Sequence, residues 1–87
     1  MDDDELRETF ANRIRALRKV RNLSQEKTAA LAGLDRAGYG RVERGLVDIR
    51  LSTINRIAGA LEVQISELFV DPPRSRKGTK SRTRSGI

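Results

Sequence analysis

Apolar residues recur at helical spacing through the first 70 positions of the chain and then stop. Leu6, Phe10, Ile14 and Leu17 follow one another at steps of four, four and three, which places them on one face of an α-helix. The helix starts in the acidic lead-in at residues 1–5, with one of the aspartates as its cap, and continues to about Arg21 or Asn22. Acids gather in its first turn and Arg18, Lys19 and Arg21 in its last, the distribution that the helix dipole favours.

Ser24 is a good N-cap for a second helix, Glu26 adds negative charge to its first turn, and Gly33 after Ala32 supplies a residue able to take positive φ. A third helix begins with Asp35 as cap and ends before Gly45, again a terminating glycine. Residues 46–50 read as a loop. Leu51, Ile54, Ile57, Ala58 and Leu61 fit a fourth helix from about Leu51 to Leu61, and Val63, Ile65, Leu68 and Phe69 predict one more short helix that closes the core. The expectation is a compact, five-helix, all-α domain over residues 1–70.

From Asp71-Pro72-Pro73 onward the residues are Ser, Thr, Gly, Arg and Lys, with no apolar periodicity before the final Ile87. Such a segment buries too little surface to offset the entropy of ordering, so residues 71–87 are expected to be a disordered basic tail.

Composition narrows the chemistry. At 87 residues the chain has room for one small core, and with aromatics at 3% and no Trp that core is aliphatic, which suits packed helices. There is no Cys and no His, which removes disulfides, thiolate metal sites and imidazole bases. With no nucleophile–base pair and no metal cluster, neither an enzyme nor a cofactor is expected. No apolar run approaches the roughly 20 residues of a membrane span, and the acidic start is unlike a signal or transit peptide. A cytoplasmic protein without a membrane partner is the expectation.

The net charge of +6 is unevenly placed. Six basic residues against Asp71 give the segment 71–87 a net +5, while 12 basic and 11 acidic residues leave residues 1–70 at +1. Nucleic-acid binding by the domain therefore has to be argued from where its arginines stand, not from the total.

The arginines that matter stand in residues 24–45, SQEKTAALAGLDRAGYGRVERG. Projected at about 100° per residue, the third helix places Arg36, Ala37, Gly40, Arg41 and Arg44 on one side and Tyr39 and Val42 on the other. A cationic side with small residues between the charges can lie in the DNA major groove, its arginines reaching guanine or phosphate. A charged face is most often only a solvated face. The context tips the balance, because Ala29 and Ala32 give the second helix a small-residue side for a close crossing and the intervening turn contains Gly, as in a helix-turn-helix.

The residues LSQEKTAALAGLDRAGYGRVERG and then LSTINRIAGALEVQISELF, with residues 12–21 before them, resemble the Cro/CI-type (lambda-repressor-like, XRE-like) helix-turn-helix domain of phage repressors and bacterial regulators. The resemblance rests most on Ser24-Gln25-Glu26, Ala29, Ala32-Gly33, Val42-Glu43-Arg44-Gly45 and the ending at 61–69. It implies that Arg36, Ala37 and Arg41 read bases and that Gln25 and Arg44 contact the DNA backbone, where Gly40 leaves room for close approach. Glu43 would be structural, tied to a neighbouring helix or arginine. Tyr39 stands where the family has an aliphatic residue, with core packing set against a phosphate contact through its hydroxyl. Thr28 replaces the usual Leu and Leu31 a usual polar residue, which implies a rearranged local core or an exposed Leu31.

Gly38 and Gly40 inside the third helix each cost on the order of 1 kcal/mol relative to Ala, making it the least stable helix by itself. The implied function is a sequence-specific transcriptional regulator that binds double-stranded DNA as a homodimer on a partly palindromic operator; Ile65, Leu68, Phe69 and Val70 read mostly as core, with a dimer surface as the alternative for Phe69 and Val70 at the domain edge. The alternative is a DNA-binding antitoxin whose main role is to bind a protein toxin.

Overall fold

The computed structural model describes residues 1–69. The segment 71–87, expected as a basic tail, lies outside the described residues, as does Val70. Among the described residues all regular structure is helical: α1 (Asp3–Val20), α2 (Gln25–Ala32), α3 (Arg36–Glu43), α4 (Leu51–Leu61) and a closing 3₁₀ turn, Ile65–Phe69. The fifth α-helix expected from the apolar pattern is not formed. Ile65–Phe69 is too short to build a ladder of i→i−4 bonds, and its first bond, from the Glu67 N–H to the Gln64 carbonyl at 3.0 Å, spans three residues.

Each of the first three helices starts where a side chain can take an orphan N–H. Asp2 accepts from the Glu5 N–H at 2.8 Å while the Glu5 carboxylate accepts from the Asp2 N–H at 3.1 Å, a reciprocal capping box. Ser24 accepts from Lys27 at 2.9 Å and Asp35 from Gly38 at 2.6 Å. Arg50 before α4 provides no such side-chain bond. The two terminating glycines take the left-handed conformation, Gly33 at φ 72° and Gly45 at φ 69°. Gly45 is constrained twice, since a Cβ there would stand 3.4 Å from the Arg7 carbonyl oxygen of α1.

Ile14, Tyr39, Ile57, Leu61 and Leu68 have no accessible surface and form the centre of the core, with Phe10, Val42 and Ile54 around them. Full burial of an aliphatic side chain of this size stabilises by about 1.5–3 kcal/mol. Ala29 and Ala32 are buried where α2 packs on α4, as their size requires for a close crossing. Thr28 is buried too, with its hydroxyl donating to the Ser24 carbonyl at 2.9 Å, while Leu31 points outward at 53% exposure. The exchange of polar and apolar residues at these two positions is thus accommodated by satisfying Thr28 locally and leaving Leu31 in solvent.

Four residues of the apolar pattern are largely exposed, among them Ile65 at 42% and Phe69 at 46%, so that of the closing segment only Leu68 is fully buried. Leu51, in the uncapped first turn of α4, is 80% exposed. Leu6 is 46% exposed and lines an open groove of about 80 Å³ with Phe10, Val47, Ile49 and Phe69. No helix among the described residues is long and apolar enough to cross a membrane.

Candidate nucleic-acid interface

α3 divides into two faces. Arg36, Ala37, Arg41 and Arg44 are exposed, while Tyr39, Gly40, Val42 and Glu43 are buried. The four exposed residues are those that the helical projection placed on the cationic side. Gly40 departs from that projection because the N-terminus of α2 and the Arg44 side chain cover it. A Cβ at Gly40 would stand 3.4 Å from Arg44 Nη1 and 4.0 Å from Gln25 Oε1. Tyr39 is not brought to the exposed side at all: it has no accessible surface, so its ring serves the core and its hydroxyl is out of reach of a phosphate. Burial pushes its phenol well above the usual value, and its hydroxyl makes no hydrogen bond of ordinary geometry.

The buried side of α3 is fastened by ionic contacts. Glu43 is 1% exposed and accepts from Arg18 of α1 through both oxygens, from Nε at 2.5 Å and Nη2 at 3.1 Å. Its Oε1 also accepts from Gln25 Nε2 at 3.0 Å. Burial alone raises the carboxyl pKa, but the hydrogen bonds from Arg18 and the neighbouring donors outweigh it and hold Glu43 below its ordinary value. The remaining Arg18 nitrogen donates to the Leu23 carbonyl at 2.8 Å, and Arg15 donates to the Glu43 main-chain carbonyl at 2.6 Å, satisfying the C-terminal end of α3. The helix that carries two internal glycines is therefore held at its N-terminus by the Asp35 cap and at its C-terminus by α1.

Gln25, Arg36, Gly40 and Arg44 come together at the junction of α2 and α3, where Arg36 Nη2 donates to Gln25 Oε1 at 3.4 Å. Ala37 and Arg41 lie on the same exposed side of α3 and make no hydrogen bond to that cluster. Arg15 and Arg18 are the residues that sequence reasoning left unassigned at this site. Arg18 was legible only as a favourable charge at the end of α1, and no local pattern reveals that its partner is 25 residues away. The described residues contain no group of acidic, His or Cys side chains suited to a metal.

Residues 14–68 match the helix-turn-helix family HTH_3. The chain is 39% identical over 72 residues to control protein C.MunI from Mycoplasma sp, which covers 82% of this chain and 95% of that protein. It is 35% identical over 77 residues to control protein C.SmaI from Serratia marcescens, covering 88% and 86% respectively. Among solved structures, the restriction-modification controller protein C.AhdI from Aeromonas hydrophila superposes with a TM-score of 0.71 at 44% identity, over 72% of this chain and 96% of that one.

Proposed function

This chain belongs to the helix-turn-helix family HTH_3, and from that premise we propose that it is a sequence-specific transcriptional regulator that binds double-stranded DNA as a homodimer on a partly palindromic operator. The observation that carries the proposal is the one-sided exposure of Arg36, Ala37, Arg41 and Arg44 on a helix whose opposite side is fastened to the core. Arg36 and Arg41 supply the forked donors that match guanine O6 and N7, and Ala37 between them lets the helix backbone approach the groove floor. Arg44, at the end of α3, reaches the DNA backbone. Gln25 contributes there as well, because it is the first residue of α2 and its main-chain N–H has no acceptor within the helix.

A helix of eight residues reads few base pairs, and pairing two of them across half-sites one DNA turn apart multiplies specificity. Phe69, 46% exposed at the edge of the domain, offers apolar surface for that pairing. Three relatives that match over most of their own length, C.MunI, C.SmaI and C.AhdI, are control proteins, C.AhdI a restriction-modification controller, and this supports a control role of the same kind here.

Selection of bound DNA from a random pool tests the reading. The expected product is a bipartite motif with two-fold symmetry and half-sites about 10 base pairs apart, bound by two chains in sedimentation. A motif without symmetry bound by one chain would rule out the dimer, and no enrichment at all would rule out sequence-specific binding.

A further inference from the structure

Tyr39 is the only tyrosine of the chain and lies wholly inside the core, yet its hydroxyl has no hydrogen-bond partner of ordinary geometry among the described residues. Burial pushes the phenol well above its ordinary value, so the group keeps its proton and is a donor without an acceptor. A buried donor left in this way opposes folding. Glu43 stands four residues on, on the same side of α3, and is buried as well. A carboxylate offers about four acceptor sites, two on each oxygen. Oε1 of Glu43 accepts from Arg18 Nη2 at 3.1 Å and from Gln25 Nε2 at 3.0 Å, whereas Oε2 accepts from Arg18 Nε alone. An orphan donor and an unfilled acceptor thus share the buried side of the helix that carries the exposed arginines. Tyr39 is flanked by Gly38 and Gly40, whose backbone offers the least resistance to a small adjustment.

Resting on the reading of α3 as the DNA-reading helix, we infer that Tyr39 is a positioning residue for α3: its hydroxyl closes onto Glu43 Oε2 as the helix seats in the major groove, a hydrogen bond that the free chain lacks. The bond braces the turn that contains Gly40, joining Tyr39 to an end of the helix already fixed to α1 by Arg18 and Arg15. A bond completed only in the complex adds to affinity although neither residue touches DNA, because a ligand favours the state whose contacts it completes. Sequences on which α3 does not seat gain nothing from it.

Carbon NMR reads the hydroxyl directly. With a single tyrosine, the full chain isotopically labelled at tyrosine Cζ gives one signal, which moves downfield when the hydroxyl donates to a carboxylate. The selected duplex is expected to move that signal downfield and a scrambled duplex to leave it in place. Tyr39→Phe removes only the hydroxyl. It is expected to leave the urea midpoint of the free chain unchanged or raised, to lower affinity for the selected duplex by about tenfold and to leave affinity for the scrambled one unchanged. A signal that stays in place on the selected duplex, or wild-type affinity of Tyr39→Phe for it, would overturn the inference. A lowered urea midpoint of Tyr39→Phe would overturn it too, by showing a bond already made in the free chain. A wild-type chain that prefers no duplex would overturn the functional reading itself, and this inference with it.

Discussion

Arg18 of α1 grips Glu43 of α3 with two parallel hydrogen bonds, to Oε2 at 2.5 Å and Oε1 at 3.1 Å, around a carboxylate that solvent barely reaches. A pair of this kind costs more to break than it contributes to stability, because the group left behind is a buried, unpaired charge. Arg18→Met is expected to lower the unfolding free energy by about 3–5 kcal/mol in urea denaturation. Replacing both partners, Arg18→Met with Glu43→Leu, is expected to recover most of that loss. Equal destabilisation by the single and the double variant would mean that the pair does not act as a unit.

The same pair ties stability to acid. Glu43 is held below its ordinary value in the folded chain and returns to it on unfolding. Its stabilising contribution is therefore fully present above that ordinary value, about 4.5, and is lost as pH falls through the lower folded value. Urea midpoints measured from pH 7 to pH 3 are expected to be flat with respect to Glu43 down to about pH 4.5 and to fall below it. Glu43→Gln is expected to be less stable at pH 7 and to show a shallower fall in the acid window.

Much of this architecture was readable in the chain because it is set by short-range chemistry. Ser24, Asp35, Gly33 and Gly45 mark helix ends through bonds to residues two to four positions away, and α4 begins and ends where its periodicity does. What escaped depends on neighbours distant in sequence. Gly40 stands on the cationic side of an isolated helix and is covered by the Arg44 side chain and by Gln25 of α2. Leu6 and Leu51 sit on apolar faces that extend past the core's edge, whereas Tyr39, on the apolar side of α3 by helical spacing, is in the core. At the candidate interface the exposed arginines, the Asp35 cap and a structural Glu43 were legible in the chain, whereas Arg15 and Arg18 of α1 as the partners of Glu43 were not.

The two glycines inside α3 respond differently to a side chain. A Cβ at Gly38 would stand 3.1 Å from Asp35 Oδ1, the oxygen that caps the helix, whereas at Gly40 it meets the far end of the flexible Arg44 side chain at 3.4 Å. Both substitutions gain helix propensity of about 1 kcal/mol, but only Gly38→Ala strains the cap. Thermal unfolding is expected to place Gly40→Ala above the wild-type chain and Gly38→Ala below Gly40→Ala, by about 1 kcal/mol.

Six of the 18 basic residues lie between residues 72 and 87. Removing that segment is expected to lower affinity for non-specific DNA and to flatten its dependence on salt, since every phosphate that the shortened chain leaves to its counterions reduces the slope by about 0.9. Titration at three salt concentrations reads this directly, and an unchanged slope would show that the segment does not touch DNA.

The central claim, that the exposed arginines of α3 read bases, is tested most directly by the affinity of Arg36→Ala and Arg41→Ala for the selected site and for a scrambled one under identical salt. Each substitution is expected to weaken the selected site by roughly 1–3 kcal/mol and to relax preference at its own base position, with little change on the scrambled sequence. Equal losses on both DNAs would contradict the account and reduce these arginines to backbone contacts.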